Sequence, residues 1–427
     1  MEVKELARGA GEQLRAAGAQ LRQSGTSLKG AGATLTVLGP HHRRLTWTPG
    51  FYEPPPAAEL DAMLPGALIR SEPMRAFMLP GLRLKAEATR VFYRSTGAAG
   101  EATAVSGTVL IPEGRQQTGA LPVIAYAPGT HGIGDDAAPS RLLSNGHDWE
   151  AAPIAHILGA GYAVAVTDYQ GLGTPGDHAF MVGQALGRNV LDILRAAYRT
   201  RPDRLGNELA GGVIGYSEGG YAAAWAAQLK ASYAPELWLA GVAAGAAAAD
   251  MQAAVKTLDG RFGSFFLAYG AIGYAAAYPE LQLDPYLTER GVSAVAMMRE
   301  ANLLQTMLRG PRFMRTGDLT EPNVLELPEW QARLAENTLG EVAPKVPVLL
   351  HHAWHDQIVS PLQSRQLLAR WHELGADVSL RFTRSGVDHL TGGLAGAPLA
   401  LNWLSNQIRS STAALPVAPV VSGVVTA

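Results

Sequence analysis

Short apolar segments alternate with helical segments along much of this 427-residue chain, and this alternation constrains the fold more than any other feature. Segments with the length and composition of buried strands occupy residues 104–112, 121–127, 162–168 and 212–216, and helical patterns occupy 187–199 and 221–230. Consecutive parallel strands need a crossover, which is usually a helix packed on a face of the sheet. The sequence therefore predicts an α/β fold with a mostly parallel sheet and helices on both faces.

The alternation stops after Ala249. From there to Asn337 the chain is rich in Ala, Leu, Met and Phe and has helical character, and strand-like segments return at 346–351 and 378–383. A helical block inserted late into a parallel sheet predicts a cap domain. We expect an N-terminal arm (1–43), the first part of the core (44–249), a helical cap or lid (250–337), the last part of the core (338–410) and a flexible tail (411–427).

The predicted N-terminal arm contains a seven-residue repeat over residues 11–38. Its recurring members are Leu14, Leu21, Leu28 and Leu35, Gly11, Gly18, Gly25 and Gly32, and the basic row Arg8, Arg15, Arg22 and Lys29. Since seven residues make about two helical turns, each set would form one stripe on a helix. Such a helix could bind a lipid or anionic surface or pair with another chain, while packing on the protein's own body, or a frayed arm, is the alternative.

Charge and composition exclude several functional classes. The chain has 35 basic and 37 acidic residues, a net charge of −2, whereas nucleic-acid binders usually carry a basic excess. It has no cysteine, which excludes disulfides, thiolate nucleophiles and iron–sulfur clusters, so any nucleophile must be Ser, Thr, Lys or a carboxylate. Charged residues recur through the first fifteen positions and leave no uninterrupted apolar segment of the kind that a secretory signal requires.

The segment GYSEG (215–219) matches the pattern G-x-S-x-G and stands between a strand-like segment and a helical one. A sharp strand-to-helix turn holds its serine in a strained conformation, and the flanking glycines remove side chains that would clash. The hydroxyl of Ser217 would then project above the sheet at a helix N-terminus, whose partial positive charge favours a developing anion. The context predicts that Ser217 is a nucleophile.

A nucleophilic serine needs a base, and the base needs an orienting acid. His389 follows the strand-like segment 378–383 and is the predicted base; Asp356 follows 346–351 and is the predicted acid, at the carboxyl edge where active sites collect. Asp388 is a rival acid, although adjacent side chains in a turn seldom face each other. The order Ser, acid, His along the chain is the one this architecture uses.

Three more histidines lie close to Asp356 in the sequence, namely His351, His352 and His355. We expect them to be packed or solvated rather than metal ligands, because no carboxylate stands at ligand spacing on a shared helix. The sequence thus predicts no metal site at these histidines.

A tetrahedral intermediate also needs hydrogen-bond donors for its oxyanion. One is the backbone N–H of Glu218, the residue after the predicted nucleophile. The loop after the strand-like segment 121–127 should supply the other. Because Pro128 has no N–H, Thr130 is the first choice in this loop and His131 the second.

Aromatic residues around the predicted nucleophile and in the predicted cap are candidates for substrate contact. These are Tyr216 and, within the apolar segment 262–278, Phe265, Phe266 and Tyr269. The cap aromatics could line a tunnel for an acyl chain, or they could simply form the core of the cap.

Several motifs resemble, in matching order, those of one known family. They are APGTHGIGDDAAPS (127–140), GYAVAVTDYQGLGTPGDHAF (161–180), GYSEGGYAAAW (215–225), HDQIVSP (355–361) and VDHLTGG (387–393). The chain is similar over about residues 45–408 to the secretory lipase family, the fungal lipase A-type and actinobacterial α/β-hydrolases. The resemblance implies an α/β-hydrolase core with an inserted helical cap, and hydrolysis of triacylglycerols and simpler carboxylic esters without a cofactor. It implies the same roles for Ser217, Asp356 and His389.

These observations predict a serine carboxylic-ester hydrolase, a lipase or lipase-like esterase that acts on medium or long acyl esters through an acyl-enzyme. The alternatives are acyl transfer to an alcohol, or hydrolysis of a polyester or lactone, with the same residues. A third possibility is a lipid-surface scaffold in which residues 11–38 are the active part and the hydrolase fold is inherited. The resemblance implies secretion, whereas the N-terminal sequence does not, so the compartment stays open.

Overall fold

The computed structural model describes residues 48, 50–114, 120–206, 211–310, 313–383 and 388–413. The predicted arm (1–43), with its repeat, lies outside the described residues. The predicted tail begins at 411, but residues 411–413 form the end of a long helix, and the remainder of the tail also lies outside the described part.

A nine-stranded sheet forms the centre of the fold, in the order β1-β4-β5-β7-β6-β8-β9-β10-β11. The strands are β1 (Leu68–Met74), β2 (Phe77–Leu79), β3 (Leu82–Arg83), β4 (Ala86–Thr96), β5 (Ala102–Pro112), β6 (Val123–Ala127), β7 (Ala163–Thr167), β8 (Gly211–Tyr216), β9 (Leu239–Gly245), β10 (Val348–Ala353) and β11 (Val378–Thr383), of which β2 and β3 pair separately. From β7 to β11 all neighbouring strands are parallel, and β1, β4 and β5 extend the sheet antiparallel. The predicted mostly parallel sheet is confirmed.

Helices follow most of the parallel strands. They are α1 (Ala57–Ala62), α2 (Pro139–Asn145), α3 (Ala151–Gly159), α4 (Gly183–Thr200), α5 (Glu218–Tyr233), α6 (Met251–Leu258), α7 (Phe265–Ala277), α8 (Glu289–Glu300), α9 (Leu303–Arg309), α10 (Pro328–Glu336), α11 (Pro361–Glu373) and α12 (His389–Ala413). Helices α6 to α10 all lie between β9 and β10, in the region predicted as the cap. No helix in the described ranges is both long and apolar enough to cross a membrane.

Both faces of the sheet are buried. Along β6, Val123, Ala125 and Ala127 join the larger hydrophobic core, which also contains α4, α5 and the helices between β9 and β10. Ile124 and Tyr126, which alternate with them, join a second core with α3 and α12. Successive side chains of a strand point to opposite faces, and a strand covered on both faces reads as a continuous apolar segment. This is why the central strands were recognisable in the sequence.

Candidate active site

The segment around Ser217 forms a tight turn between β8 and α5 at the carboxyl edge of the sheet. Ser217 has φ 60° and ψ −122°, a left-handed conformation that costs a non-glycine residue about 1–3 kcal/mol. The flanking residues must be glycines, because any side chain would clash with the backbone. A Cβ on Gly215 would lie 2.1 Å from the carbonyl oxygen of Gly219, and a Cβ on Gly219 would lie 1.9 Å from the carbonyl oxygen of Ala127. The turn therefore forces the serine outward from the backbone at the start of α5.

The predicted base and acid lie next to this serine. Nε2 of His389 is 2.8 Å from Oγ of Ser217, and Nδ1 of His389 is 2.7 Å from Oδ2 of Asp356. Asp356 follows β10, and His389 begins α12 beyond β11, so the three side chains converge from three loops at one edge of the sheet. This arrangement can move a proton from the hydroxyl to the imidazole, with the carboxylate stabilising the imidazolium that results.

Asp356 is held ionised by several donors. Its Oδ1 accepts the backbone N–H groups of Ile358 at 2.9 Å and Val359 at 2.8 Å, and its Oδ2 lies 3.2 Å from Nε2 of His352 as well as against His389. Burial alone would raise the pKa of this carboxyl, but the hydrogen bonds from His352 and His389 outweigh burial and hold its pKa well below the usual range.

His352 is a functional neighbour that sequence reasoning missed. It is buried, its Nδ1 lies 2.7 Å from the hydroxyl of Ser364, and its Nε2 lies 2.9 Å from the carbonyl oxygen of Val359. It was expected to be packed or solvated; it is packed, but it also contacts Asp356. Its position four residues before the acid, at the end of a strand, was the only signal in the sequence.

Asp388, His355 and His351 do not take part in the contacts that join Ser217, His389 and Asp356. Asp388 caps α12: its Oδ1 accepts the backbone N–H groups of Leu390 and Thr391 at 3.0 and 3.1 Å. His355 is exposed. His351 is buried against the ring of Tyr216, and burial together with the neighbouring His352 lowers its pKa to about 3.

The two predicted oxyanion donors border the same cavity as Ser217. Glu218 is the first residue of α5, where a backbone N–H has no acceptor within the helix, and its side chain turns away to Nε2 of His178 at 2.7 Å. Thr130 lies in the loop after β6, opposite the serine. Two residues before it, Pro128 has no N–H, and the N–H of Gly129 is already donated to Oε2 of Glu150 at 2.9 Å.

A cavity leads from Ser217 into the helices between β9 and β10. Its lining is almost wholly apolar and comprises, besides Ser217, Glu218 and Thr130, side chains such as Phe180, Met181, Leu258, Phe266, Tyr274, Leu334 and Ile358. Helix α7 contributes Phe266, Gly270 and Tyr274, which recur every four residues and so share one face.

Of the four predicted substrate contacts, Phe266 alone lines this cavity in the described residues. Phe265 and Tyr269 are buried in the cap core instead, because they lie on other faces of α7, and the hydroxyl of Tyr269 lies 2.6 Å from that of Thr306. Tyr216 points to the other side of the sheet, where its hydroxyl donates to the carbonyl of His389 at 2.7 Å. Phe265 and Tyr269 therefore correspond to the alternative in which these aromatic residues form a core, and Tyr216 does not border the cavity.

Three buried groups behind Thr130 come close enough to hold a metal ion. Ligand atoms of His131, Asp148 and Glu150 lie within 4.8 Å of one another. They are already joined, however, since Nε2 of His131 is 3.0 Å from Oδ1 of Asp148. Hydrogen bonding among these side chains accounts for the cluster.

Comparison with known proteins places the chain in a family. The family model described as secretory lipase matches residues 138–414. Among curated relatives, the secreted triacylglycerol lipase LIP7 of Malassezia globosa is 29% identical over 387 residues (86% of this chain, 80% of the relative). The probable inactive lipase MT1628 of Mycobacterium tuberculosis is 26% identical over 372 residues (84% of this chain, 81% of the relative).

Solved structures show the same fold. Candida antarctica lipase A in its closed state superimposes with a TM-score of 0.76 at 23% identity, over 85% of this chain and 86% of that one. The rice cell wall degrading esterase LipA from Xanthomonas oryzae gives a TM-score of 0.64 at 19% identity, over 82% of this chain and 99% of the esterase. The chain therefore belongs to the secretory lipase family and to the carboxylic ester hydrolases with an α/β-hydrolase fold.

Proposed function

We propose that the protein is a serine hydrolase of medium and long acyl esters, a lipase or lipase-like esterase that works through an acyl-enzyme on Ser217. The observation that carries this proposal is the contact chain from Ser217 through His389 to Asp356, with distances of 2.8 and 2.7 Å, at the mouth of an apolar cavity. One relative is named an inactive lipase, so family membership alone does not establish activity. The geometry of these three residues supports it.

In the proposed reaction, the Ser217 hydroxyl attacks the ester carbonyl while Nε2 of His389 takes its proton. Asp356 accepts the Nδ1–H of His389, which fixes the tautomer and stabilises the imidazolium. The backbone N–H groups of Glu218 and Thr130 donate to the oxyanion, and each such donor is typically worth about 10²–10³ in rate. His389 then protonates the leaving alcohol. In the second half of the reaction, water attacks the acyl-enzyme while His389 takes its proton, and His389 returns that proton to Ser217 as the acid is released.

The cavity supports an acyl substrate with a long apolar part. Its lining is almost wholly apolar, as expected of a site that holds an apolar part of a small-molecule substrate. Glu218, the charged residue in its lining, has its carboxylate engaged with His178 rather than left facing the cavity. Burying each methylene group of an acyl chain in such a lining is worth about 0.8 kcal/mol. The relative named a secreted triacylglycerol lipase agrees with this substrate class.

Replacement of the nucleophile tests the proposal. Ser217→Ala should lower ester turnover by about 10⁶-fold, because the remaining groups cannot replace the covalent step. A fluorophosphonate probe should label the wild type on Ser217 and leave the variant unlabelled. Retention of more than about a tenth of the wild-type rate by the variant would overturn the assignment. Product analysis with a competing alcohol distinguishes hydrolysis from acyl transfer.

A further inference from the structure

The loop that carries Thr130 is held by buried side chains on both sides of Gly129. The hydroxyl of Tyr169 donates to the carbonyl of Pro128 at 3.0 Å, and the N–H of Gly129 donates to Glu150 at 2.9 Å. The carbonyl oxygen of Gly129 accepts from Nδ1 of His131 at 2.8 Å. Sequence reasoning considered only the backbone of His131, but its side chain is what reaches back to this loop.

The contacts of His131 identify it as a doubly protonated imidazolium. A carbonyl oxygen only accepts, so Nδ1 must carry a proton. Nε2 faces Oδ1 of Asp148 at 3.0 Å, and that same oxygen accepts the backbone N–H of Glu150 at 2.8 Å, as an ionised carboxylate does. Nε2 therefore carries a proton as well, and the two side chains form a buried ion pair.

The surrounding groups favour this charge. Burial alone would lower the pKa of His131, but the Asp148 carboxylate, supported by Glu150, raises it to about 9. The Glu150 carboxyl, whose other oxygen accepts from the hydroxyl of Tyr126, has its pKa raised to about 8 by burial and by Asp148. The ring of Trp149 stacks on His131 at 5.2 Å. The imidazolium is thus enclosed by the carboxyl groups of Asp148 and Glu150 and by an aromatic face.

The geometry of the peptide bond connects this ion pair to the active site. The carbonyl of Gly129 and the N–H of Thr130 belong to the same planar trans peptide, so they point in opposite directions. Fixing the carbonyl on the His131 side therefore directs the N–H to the other side, and Thr130 borders the cavity together with Ser217 and Glu218. A charged donor on the carbonyl also polarises the peptide and strengthens its N–H as a donor.

We propose that His131 and Asp148 are positioning residues, a second histidine–carboxylate pair that orients and polarises the Thr130 N–H as an oxyanion donor. The proposal rests on the proposed function, since it assigns a part of the same site. His131 acts through the backbone and contacts no reacting atom. Its own carbonyl accepts the N–H of Leu303 at 2.7 Å, which anchors the residue to the first residue of α9.

Two amide substitutions at position 131 separate the effect of the lost hydrogen bond from the effect of the changed side-chain size. In His131→Asn the side-chain NH₂ takes the place of Nδ1 and can still donate to the Gly129 carbonyl. In His131→Gln the NH₂ takes the place of Nε2 and cannot. The exposed neighbour His147 provides a matched control as His147→Gln. The assay is the hydrolysis of a nitrophenyl ester by the full chain, with kcat and KM measured from pH 6 to 10.

His131→Gln should lower kcat on the order of 10–10²-fold with KM nearly unchanged, as expected for a displaced donor that acts in the transition state. His131→Asn should recover most of this loss at pH 7. In the wild type we expect kcat to fall as the pH rises through about 9, because His131 loses its charge there. In His131→Asn this fall should be absent, because the amide does not titrate. Equal losses in both variants, wild-type kcat in His131→Gln, or a change confined to KM would each overturn the proposal.

An NMR measurement tests the positioning role of His131 without depending on catalytic activity. In protein labelled with ¹⁵N-threonine, the Thr130 amide can be assigned with Thr130→Ser. Its chemical shift should move in His131→Gln and stay near the wild-type value in His131→Asn and His147→Gln. If the wild type neither hydrolyses esters nor labels with a fluorophosphonate, the proposed function fails, and this shift alone decides the positioning role. An unchanged Thr130 amide in His131→Gln would refute it.

Discussion

Substitution of Gly270 should shorten the acyl chain that the cavity accepts. Gly270 lies in α7 between Phe266 and Tyr274 and lines the cavity, and a Cβ built on it meets no other atom within 4 Å. A leucine here would therefore project into the cavity without striking the wall. It would also remove a glycine from a helix interior, which favours folding by up to about 1 kcal/mol.

The magnitude follows from the space that the new side chain takes. A leucine side chain fills roughly the volume of four methylene groups, and each methylene of substrate that can no longer be buried costs about 0.8 kcal/mol. For an acyl chain long enough to reach Gly270, the sum is about 3 kcal/mol, or on the order of 10² in kcat/KM. Esters too short to reach it should be unaffected.

A series of nitrophenyl esters from acetate to palmitate, compared between wild type and Gly270→Leu, measures this effect. Gly159→Leu is the control, since Gly159 is an exposed helical glycine whose Cβ also meets nothing within 4 Å. A uniform loss across the series would point to damage of the catalytic residues, and an unchanged profile would show that acyl chains do not occupy this cavity. Either result would refute the reasoning.

Two further predictions concern stability. The pKa values of Glu150 and His131 are raised to about 8 and about 9, so both groups bind protons more tightly in the folded state. Their contribution to stability is complete below the ordinary pKa of each group and is lost as the pH rises through the raised value. The free energy of unfolding, measured with urea, should therefore decrease between pH 6 and 10. A free energy of unfolding that increases over this range would contradict the two assignments. His352→Leu should destabilise the fold by about 1–3 kcal/mol, because the Val359 carbonyl and the Ser364 hydroxyl lose a buried partner. His352→Gln, which can keep the donor at the Nε2 position, should lose less in the same measurement.

The turn around Ser217 was predictable from the pattern at 215–219. Gly215 is required within the turn itself, because its Cβ would meet Gly219, whereas Gly219 is required by Ala127 at the end of the neighbouring strand β6. Most of the buried strands were also recognisable, since strands covered on both faces are apolar along their length. Strand β9 was not among the predicted strands, although it is buried throughout. The antiparallel strands β1 and β4 were not recognised, because their side chains are partly exposed or polar and their pairing is set by strands distant in sequence.

The partners of the serine were found from the order of motifs, but their contacts depend on the whole sheet. Asp356 and His389 approach Ser217 because β8, β10 and β11 end at the same edge. His352 gave little signal, since a histidine in an apolar strand reads as a packed side chain. Tyr216 does not border the cavity, because it is the last residue of β8 and faces the same side of the sheet as Ile214, two residues before it.

By itself, then, the sequence determined the α/β architecture and the strained serine turn, because periodicity and turn chemistry act over short distances, and the order of motifs predicted the two partners of the serine. The tertiary structure alone decided which face of α7 lines the cavity, how the peptide before Thr130 is oriented and which imidazoles surround Asp356. Those features arise from contacts between segments far apart in the chain, such as Gly129 with Glu150 and Ser217 with His389. Distances of this kind are set by how helices pack on the sheet, which no local pattern of residues encodes.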